Sequence, residues 1–458
     1  MQLPTSIAAM RQPVSAGETR PHAWRLDQLG RLERAIAERR DAVLDALASD
    51  LGKPPLEAYF ELVAVQQEIQ LVRSRLRRWM APRPVGLPLF LQPGRAEVIS
   101  EPLGCVLVIG PWNYPFLLSL QPLVSALAAG NSVVLKPSEH APATSALIAE
   151  LAGAAFPTHT VQVVRGDGSV AEALLRERFD HIFFTGGERV GALVMQAAAR
   201  HLTPVTLELG GKSPAVVLND ADLAVTSRRL IWGKTLNSGQ TCIAPDYLLV
   251  ERGVERELVE RLQARIPECF GADPLHSPDL GSIVNDAQFQ RLQGLLEGAR
   301  SRGQVISGGQ SDPSRRRIAP TLIRVDSLDD PLMQDELFGP LLPVLAVDGL
   351  EQAIQLINQR PKPLALYLFT KQQQAQQRML EGTSSGGVCF NDVVLQVGVP
   401  DLPFGGVGPS GMGSYHGEAG FRTFSHQRSV LRRPFRLDAP FRYPPYGGTL
   451  PLIRRLLG

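Results

Sequence analysis

The residues whose types and spacing suggest chemistry lie between Glu208 and Cys242. Cys242 ends the run Asn-Ser-Gly-Gln-Thr-Cys just after a predicted helix, so a substrate in a cleft could reach its sulfur. A thiol in such a place suits covalent catalysis as a nucleophile. Glu208 stands where a predicted strand ends at a Gly-Gly turn, from which its carboxylate could activate water. Taken singly, such a cysteine is more often a small buried apolar residue, and such a glutamate a solvated surface group.

A third candidate follows the predicted strand at residues 105–109. There the run Gly-Pro-Trp-Asn-Tyr-Pro holds Asn113 between two prolines, which stiffen the turn. A side-chain amide fixed in one place can stabilise an oxyanion, an effect of about 100-fold to 1,000-fold in rate. The alternative is a structural role in an Asx-type turn.

Residues 185–191 read Thr-Gly-Gly-Glu-Arg-Val-Gly and join a predicted strand to a predicted helix. Glycines let backbone approach a pyrophosphate, and a helix N-terminus offers N–H donors and the positive end of a dipole. The spacing is not that of the G-x-G-x-x-G fingerprint, so an ordinary turn is the alternative. The candidate cofactor-binding residues here are Gly186, Gly187, Glu188, Arg189, Val190 and Gly191.

Length and composition restrict the class of protein. A chain of 458 residues exceeds one ordinary core and predicts at least two domains. Charged residues make up 20%, apolar residues 44%, and the net charge is +2, which gives no reason to expect nucleic-acid binding. The four cysteines are scattered, so we expect no disulfide framework, no metal site and a cytoplasmic location. No signal-peptide pattern or membrane-spanning apolar window is visible.

The periodicity of apolar residues predicts the fold class. Two amphipathic helices are expected over residues 24–51 and 57–79, followed by a proline-rich crossing segment at 81–94. Beyond it, β-rich runs alternate with helical stretches, which predicts an α/β fold with mostly parallel, doubly wound sheets. The strand runs lie at residues 96–100, 105–109, 132–135, 161–164, 181–184, 205–207, 215–218, 247–250, 319–323, 342–347, 364–370 and 387–390.

Several segments give the chain a close resemblance to the aldehyde dehydrogenase superfamily. They are Glu-Leu-Gly-Gly-Lys-Ser-Pro at 208–214, Gly-Gln-Thr-Cys-Ile-Ala-Pro at 239–245, Pro-Trp-Asn-Tyr-Pro at 111–115 and Glu-Leu-Phe-Gly-Pro at 336–340. The resemblance extends over about residues 31–446, and residues 101–104, 403–417 and 442–446 look like the class 3 branch. It implies an aldehyde dehydrogenase-like fold: a doubly wound cofactor domain, a second α/β catalytic domain and a small oligomerisation element.

The resemblance implies a mechanism. Cys242 as thiolate would attack the aldehyde carbon, while the Asn113 amide and the Cys242 backbone N–H hold the oxyanion. Hydride would pass to a nicotinamide, and water deprotonated by Glu208 would hydrolyse the thioester to a carboxylic acid. Because a free thiol has a pKa of about 8.5, we expect cofactor charge and nearby donors to lower the pKa of Cys242.

The resemblance also implies where a nicotinamide cofactor would bind. Lys136 and Glu139 follow the strand at 132–135 and match residues that hold the adenosine ribose. Glu336 would bind the nicotinamide ribose, and Phe338 would pack near the ring; read without the family, they are a loop carboxylate and a core aromatic. A carboxylate at Glu139 should repel the 2′-phosphate of NADP, yet this branch often accepts both cofactors, so the expectation is NAD(P).

The glycine segment matches the family with one departure. Gly186 and Gly191 occupy the glycine positions of a Gly-Ser-x-x-x-Gly segment, whereas Gly187 stands where the family often has serine or asparagine. A side-chain contact to phosphate is therefore missing at Gly187.

Domain boundaries and partners follow from the same resemblance. Residues 1–80 and 95–209 would form the NAD(P)-binding domain, 210–395 the catalytic domain, and 81–94 with 396–458 the crossing and oligomerisation segments and the tail. We expect a homodimer acting on medium- or long-chain aliphatic or aromatic aldehydes. The Arg-rich tail could lie on an anionic membrane or pack on the enzyme, and its prolines allow only a short helix, so we expect at most weak, salt-sensitive membrane association.

Three other functions are compatible with parts of this pattern. An enzyme that transfers the thioester to coenzyme A would not need a water-activating Glu208. A thiol hydrolase would not need Lys136, Glu139 or the Glu336 segment. A non-catalytic relative would not need Cys242, Glu208 and Asn113 together.

Overall fold

A computed structural model describes residues 5–438, 442–448, 450–451 and 454–455. Its α-helices are α1 (Ile7–Ser15), α2 (His22–Glu38), α3 (Arg40–Leu51), α4 (Pro55–Met80), α5 (Leu117–Ala129), α6 (Pro142–Ala155), α7 (Gly168–Leu175), α8 (Glu188–Ala199), α9 (Leu223–Thr235), α10 (Arg252–Phe270), α11 (Asp286–Ser301), α12 (Leu350–Asn358), α13 (Gln373–Gly382) and α14 (Gly417–Thr423).

The strands alternate with these helices along much of the chain. They are β1 (Arg83–Val85), β2 (Arg95–Pro102), β3 (Cys105–Ile109), β4 (Ser132–Lys136), β5 (Val161–Val163), β6 (His181–Thr185), β7 (Val205–Glu208), β8 (Pro214–Val217), β9 (Tyr247–Glu251), β10 (Val305–Ser307), β11 (Ser311–Asp312), β12 (Arg317–Ile318), β13 (Thr321–Arg324), β14 (Leu341–Val347), β15 (Ala365–Phe369), β16 (Gly387–Phe390), β17 (Gly411–Met412) and β18 (Ser425–Arg432).

The first parallel sheet has the order β17-β7-β6-β3-β4-β5, with only β17 antiparallel. Its central strand β3 is buried along its whole length, as its run Cys-Val-Leu-Val-Ile predicts. Because β4 and β6 lie on opposite sides of β3, the chain reverses its winding direction there. Ligands of doubly wound folds bind at the carboxyl ends of the strands at such a switch point.

The second sheet has the order β10-β13-β14-β9-β8-β15-β16, parallel except for β10. Its strands β8, β9 and β15 are almost completely buried between helical layers. The α/β fold predicted from the alternating pattern is confirmed by these two sheets and by the likeness to a solved structure that is described below.

One predicted strand belongs to a different sheet than expected. The run at residues 96–100 was expected within the parallel series, but β2 pairs antiparallel with β1 and β18 in a separate three-stranded sheet. Local residue preference predicts a strand but not its partner, and β18 lies more than 300 residues further along the chain. This sheet ties the crossing segment to the end of the described core.

The helical N-terminal region also differs from expectation. The single helix predicted over residues 24–51 is divided at Arg39, whose φ of −125° and ψ of 26° leave the helical region. The break lets Ile36 on α2 and Val43 and Leu47 on α3 all bury completely in one core. Helix α1 was not predicted.

The described residues contain no helix long and apolar enough to cross a membrane. Part of the tail lies outside the described residues, and its predicted membrane behaviour stays a prediction. The tail residues of that prediction that the structure does not describe are Pro440, Phe441, Leu452, Ile453, Leu456 and Leu457.

Candidate active site

A cavity of about 660 Å³ lies between the two parallel sheets. From the first sheet, the residues that follow β3, β6 and β7 line it, which places the carboxyl ends of these strands on one wall. From the second sheet, the residues that precede β8, β14 and β15 line it. The predicted site residues in this lining are Asn113, Gly186, Gly187, Glu188, Glu208, Cys242, Glu336 and Phe338.

Cys242 is carried by a strained loop after α9. A short turn, Leu236–Gly239, follows the helix, and Asn237 and Ser238 adopt positive φ angles of 52° and 54°. Gly239 has a φ of 77°, and a Cβ there would collide with the backbone carbonyl of Gly339. A glycine is therefore required for the loop to pass this close to the segment before β14. The geometry presents a half-buried Cys242 to the cavity.

Buried hydrogen bonds keep this loop in place. The Asn237 backbone N–H donates to Glu57 at 2.8 Å, and the Ser238 hydroxyl donates to the Gly281 carbonyl at 2.8 Å. Gln240 donates through Nε2 to the Ser282 carbonyl at 2.9 Å and accepts the Val284 N–H at 2.9 Å. Together these bonds support the unusual backbone before Cys242.

Asn113 is buried beside the same loop. Its Nδ2 donates to the Gln240 backbone carbonyl at 3.1 Å. An amide nitrogen carries two hydrogens, so one N–H of Asn113 orients the side chain and the other is left for a ligand in the cavity that Asn113 lines.

The environment of the Cys242 thiol acts on its pKa in both directions. Burial raises the pKa of Cys242 far above its usual value, nearby Glu336 and Glu208 raise it further, and backbone N–H donors of Cys242 and Ile243 lower it. The expected lowering of this pKa by nearby donors is present, and the lowering by cofactor charge stays a prediction. Burial outweighs those donors because it removes water from the charged form.

Glu208 ends β7 and lines the cavity with a side chain that is 2% exposed. Neither carboxylate oxygen has a hydrogen-bond partner among the described residues. Burial raises the pKa of Glu208 well above its usual value. A carboxyl group with a raised pKa is a stronger base once ionised, and its free oxygens can accept a proton from a molecule in the cavity.

Glu336 and Phe338 lie on the opposite wall, in the segment before β14. Burial raises the pKa of Glu336 to about 8, and the charge of Asp246 adds to the shift. A Cβ at Gly210 would collide with the Glu336 carboxylate, so this glycine lets the two loops meet. Phe338 packs edge-on against Trp112 with ring centroids 5.2 Å apart.

The glycine segment begins α8, with Gly187 as its N-terminal cap residue. Gly186, Gly187 and Glu188 line the cavity, and the space around a Cβ at Gly187 is open. Gly191 lies one turn into the helix, where a Cβ would collide with Leu209 of the neighbouring loop. Gly191 therefore serves close packing.

Five predicted cofactor residues lie outside the lining of this cavity: Lys136, Glu139, Arg189, Val190 and Gly191. Lys136 ends β4, is 3% exposed and donates to Glu139 at 2.5 Å. Burial alone would raise the pKa of Glu139, but the hydrogen bond and charge of Lys136 hold it below its usual value. The Lys136 carbonyl accepts the Gly110 N–H at 3.0 Å, so the pair lies at the same sheet edge as the Asn113 segment.

Comparison with known proteins identifies the family. The model of the aldehyde dehydrogenase family matches residues 2–430. The chain belongs to this family.

Individual relatives match along nearly the whole chain. The dimeric, NADP-preferring aldehyde dehydrogenase of Rattus norvegicus is 46% identical over 449 residues, which cover 97% of this chain and 98% of the relative. Aldehyde dehydrogenase family 3 member H1 of Arabidopsis thaliana is 43% identical over 454 residues, 98% of this chain and 94% of the relative. The substrate-bound structure of Staphylococcus aureus AldH superposes with a TM-score of 0.95 at 40% identity and covers 98% of both chains. The resemblance to class 3 aldehyde dehydrogenases is confirmed, and the chain is an oxidoreductase of this family.

Several charged residues around the aldehyde dehydrogenase cavity were missed at the sequence level. Lys212 and Arg291 line it, and each donates to a carbonyl of the segment that carries Glu336. Lys212 also pairs with buried Asp246, whose carboxylate accepts the Leu337 N–H at 3.1 Å. The Gly-Gly-Lys run could have drawn attention to Lys212, whereas Arg291 lies on α11 without any motif.

Lys234 is a further cation that was missed. It lies near the end of α9 outside the cavity lining, is 1% exposed, and its Nζ is 3.8 Å from Asp246. Burial lowers the pKa of Lys234 to about 8, while Asp246 opposes the shift. The signal available in the sequence was a lysine that directly follows the apolar run Leu-Ile-Trp-Gly of this helix.

Proposed function

We propose that this enzyme oxidises aldehydes to carboxylic acids with NAD(P) through a covalent intermediate on Cys242. One observation supports this most strongly: Cys242, Asn113 and Glu208 line a single cavity although they come from three separate segments of the chain. A nucleophile, an oxyanion donor and a base are the groups that acylation and hydrolysis require.

The first step belongs to Cys242 and Asn113. Cys242 loses its thiol proton to water in the cavity, and the thiolate sulfur attacks the aldehyde carbon. The carbonyl oxygen becomes an oxyanion within reach of the free Asn113 N–H and the Cys242 backbone N–H. One such donor contributes about 100-fold to 1,000-fold to the rate. When bound, NAD(P) supplies a positively charged nicotinamide that accepts the hydride.

The second step belongs to Glu208. After oxidation, the substrate is held as a thioester on Cys242. Glu208 takes a proton from water, the resulting hydroxide attacks the thioester carbon, and the C–S bond breaks to release a carboxylic acid. Because both Glu208 oxygens have no partner among the described residues, the carboxylate accepts this proton without first breaking a protein hydrogen bond.

The residues present fit a dinucleotide cofactor. Open space at Gly187 and the N-terminus of α8 face the cavity and suit phosphate binding. Glu336 would hold the nicotinamide ribose, Phe338 would pack near the ring, and Lys136 with Glu139 would hold the adenosine ribose. Glu188, Arg189, Val190 and Gly191 complete the proposed cofactor segment.

We further infer the remaining properties from the family. Medium- or long-chain aliphatic or aromatic aldehydes are the proposed substrates, and a homodimer with at most weak membrane association is the proposed assembly. A cytoplasmic location is consistent with four free cysteines. The proposed domains are 1–80 with 95–209 for cofactor, 210–395 for catalysis, and 81–94 with 396–458 for crossing and assembly.

The proposed function is tested by incubating the purified protein with hexanal or benzaldehyde and either NAD or NADP. We expect reduced cofactor and carboxylic acid to form in equal amounts, with no need for coenzyme A. In a parallel reaction with added coenzyme A, formation of acyl-coenzyme A without free acid would instead assign the chain to thioester transfer.

A further inference from the structure

A buried ion pair lies behind the Asn113 segment. Lys53 and Glu61 have side chains that are both 0% exposed, and the Lys53 ammonium contacts the Glu61 carboxylate directly. Removing two charges from water is costly, and a buried pair is often no more stabilising than apolar residues of the same volume. The question is therefore what each charge holds in place.

Lys53 holds the backbone of Asn113. Its Nζ donates to the Asn113 carbonyl at 2.8 Å and lies 3.9 Å from the centre of the Tyr114 ring. The same carbonyl accepts a second hydrogen bond, from Asn237 Nδ2 at 2.8 Å. Asn113 is thus fixed from behind by two donors while its side chain faces the cavity.

Glu61 fixes the chain three residues further along, at the start of α5. Its second carboxylate oxygen accepts the backbone N–H groups of Phe116 at 3.1 Å and Leu117 at 3.0 Å. At the start of α5 these N–H groups have no acceptor within the helix, and Glu61 supplies one. A carboxylate beside a helix N-terminus also interacts favourably with the helix dipole.

Neither Lys53 nor Glu61 is among the residues that line the cavity. They cannot act on a substrate directly, yet their hydrogen bonds meet the chain at residue 113 and again at residues 116–117. An apolar pair of equal volume would fill the space without holding either point.

We propose that the Lys53–Glu61 pair positions Asn113 for oxyanion stabilisation. The pair fixes the backbone at Asn113 itself and again at residues 116–117, so that the side-chain N–H not used by Gln240 meets the substrate oxygen. This inference rests on the proposed function of Asn113. A displacement of about 1 Å at a reacting group can cost about 100-fold in rate, so the loss of one anchor is sufficient to be measured.

The test is a double-mutant cycle on acylation by p-nitrophenyl acetate, a reaction that needs Cys242 and an oxyanion donor but no cofactor. We expect Lys53→Met to slow acylation by about 10-fold to 100-fold in the wild-type background. In the Asn113→Ala background the same change should cost less than about 3-fold, because there is no donor left to misplace. Costs that multiply in the double variant would overturn the proposal.

Two further measurements separate positioning from general damage. Alkylation of Cys242 by iodoacetamide forms no oxyanion, so its rate should stay within about 2-fold of wild type in Lys53→Met. A parallel fall in alkylation would show that the pair holds the cysteine loop instead. Lys53→Arg keeps the charge and should recover part of the acylation rate.

The matched control is Glu68→Gln. Glu68 is also a buried carboxylate of α4 that accepts a backbone N–H, from Gly417 at 3.0 Å, but it touches neither catalytic loop. It should leave acylation unchanged. If Lys53→Met does not fold, Glu61→Gln replaces it, since glutamine keeps the shape and loses the charge.

The outcomes distinguish the two proposals. Ester hydrolysis by the wild-type enzyme, with energetic coupling between Lys53 and Asn113 in the double-mutant cycle, supports the positioning role. If that enzyme nevertheless oxidises no aldehyde, only the proposed function is contradicted. Normal aldehyde oxidation together with full acylation in Lys53→Met would sink only the positioning role.

Discussion

The two sides of Cys242 are built on opposite principles. On the α4 side, the Asn113 carbonyl, the Asn237 N–H and the Gln240 carbonyl all have hydrogen-bond partners within the protein. On the other side, Glu208 is equally buried but has no hydrogen-bond partner among the described residues. One side is fixed by internal bonds, and the other keeps its polar atoms for molecules that enter the cavity.

This difference separates positioning from proton transfer. Hydrogen bonds fix a donor in place before the reaction, which is what oxyanion stabilisation needs. A base must change its protonation state during the cycle, and a permanent partner would oppose that change. The fixed side should therefore govern acylation, and the partnerless side should govern hydrolysis.

The largest effect is expected at the residue between the two sides. Cys242→Ala should abolish both aldehyde oxidation and ester hydrolysis, because it removes the nucleophile that both reactions share. Cofactor binding, followed by fluorescence titration, should stay nearly unchanged. Dehydrogenase activity above a few per cent of wild type would place the nucleophile elsewhere.

Glu208→Gln tests the partnerless side alone. A rapid burst of reduced cofactor should remain, while steady turnover falls by about 100-fold to 10,000-fold because hydrolysis loses its base. The raised pKa of Glu208 predicts the direction of the pH dependence. The ionised fraction of Glu208 grows as pH rises, so the rate of hydrolysis by the wild-type enzyme should increase with pH through this pKa. Stopped-flow and steady-state rates across pH would check both points. Loss of the burst would mean that Glu208 acts before hydride transfer.

Glu139→Gln tests the cofactor end of the first sheet. If the Glu139 carboxylate repels a 2′-phosphate, its removal should improve the kcat/KM of NADP relative to NAD by several-fold, about 1 kcal/mol. Glu150→Gln, an exposed carboxylate of α6 paired with Arg39, is the control. Equal cofactor ratios in all three proteins would place Glu139 away from the 2′ position.

The smallest effect is expected on stability, at Glu68 of α4, which contacts neither side of the site. Burial raises its pKa to about 7 against an ordinary value of 4.5, so the folded protein holds a proton that the unfolded chain has released. Stability therefore falls as pH rises between these values, and Glu68→Gln should remove this loss, on the order of 2–3 kcal/mol. Unfolding midpoints at pH 5 and pH 8 measure it. Parallel pH profiles of variant and wild type would contradict the shift.

The sequence predicted those features that depend on neighbouring residues in the chain. The runs at 105–109 and 181–184 are strands within a residue of their predicted bounds, because continuous apolar β-branched and aromatic residues favour buried strands. The residues that contact Asn113 from behind were not predicted. Lys53 and Glu61 look like ordinary surface charges in the sequence. Lys53 is 60 residues from Asn113 and Glu61 is 55 residues from Phe116, so only tertiary packing brings them into contact.

The same reason limits what the sequence says about the Cys242 thiol. Cofactor charge and nearby donors were expected to lower its pKa, but burial and the approach of Glu336, which raise it, depend on how two sheets meet. Motifs identify which residues meet at a site, whereas the electrostatics follow from the packing around them.

The central claim is that the substrate becomes covalently attached to Cys242 and is released by Glu208. Intact-protein mass spectrometry of Glu208→Gln, mixed with hexanal and NAD(P), tests this directly. We predict a mass increase of one acyl group, located on Cys242 by peptide mapping and absent when Cys242→Ala is added. An acyl group on another residue, or unmodified Cys242 in an enzyme that still reduces cofactor in a burst, would contradict the account.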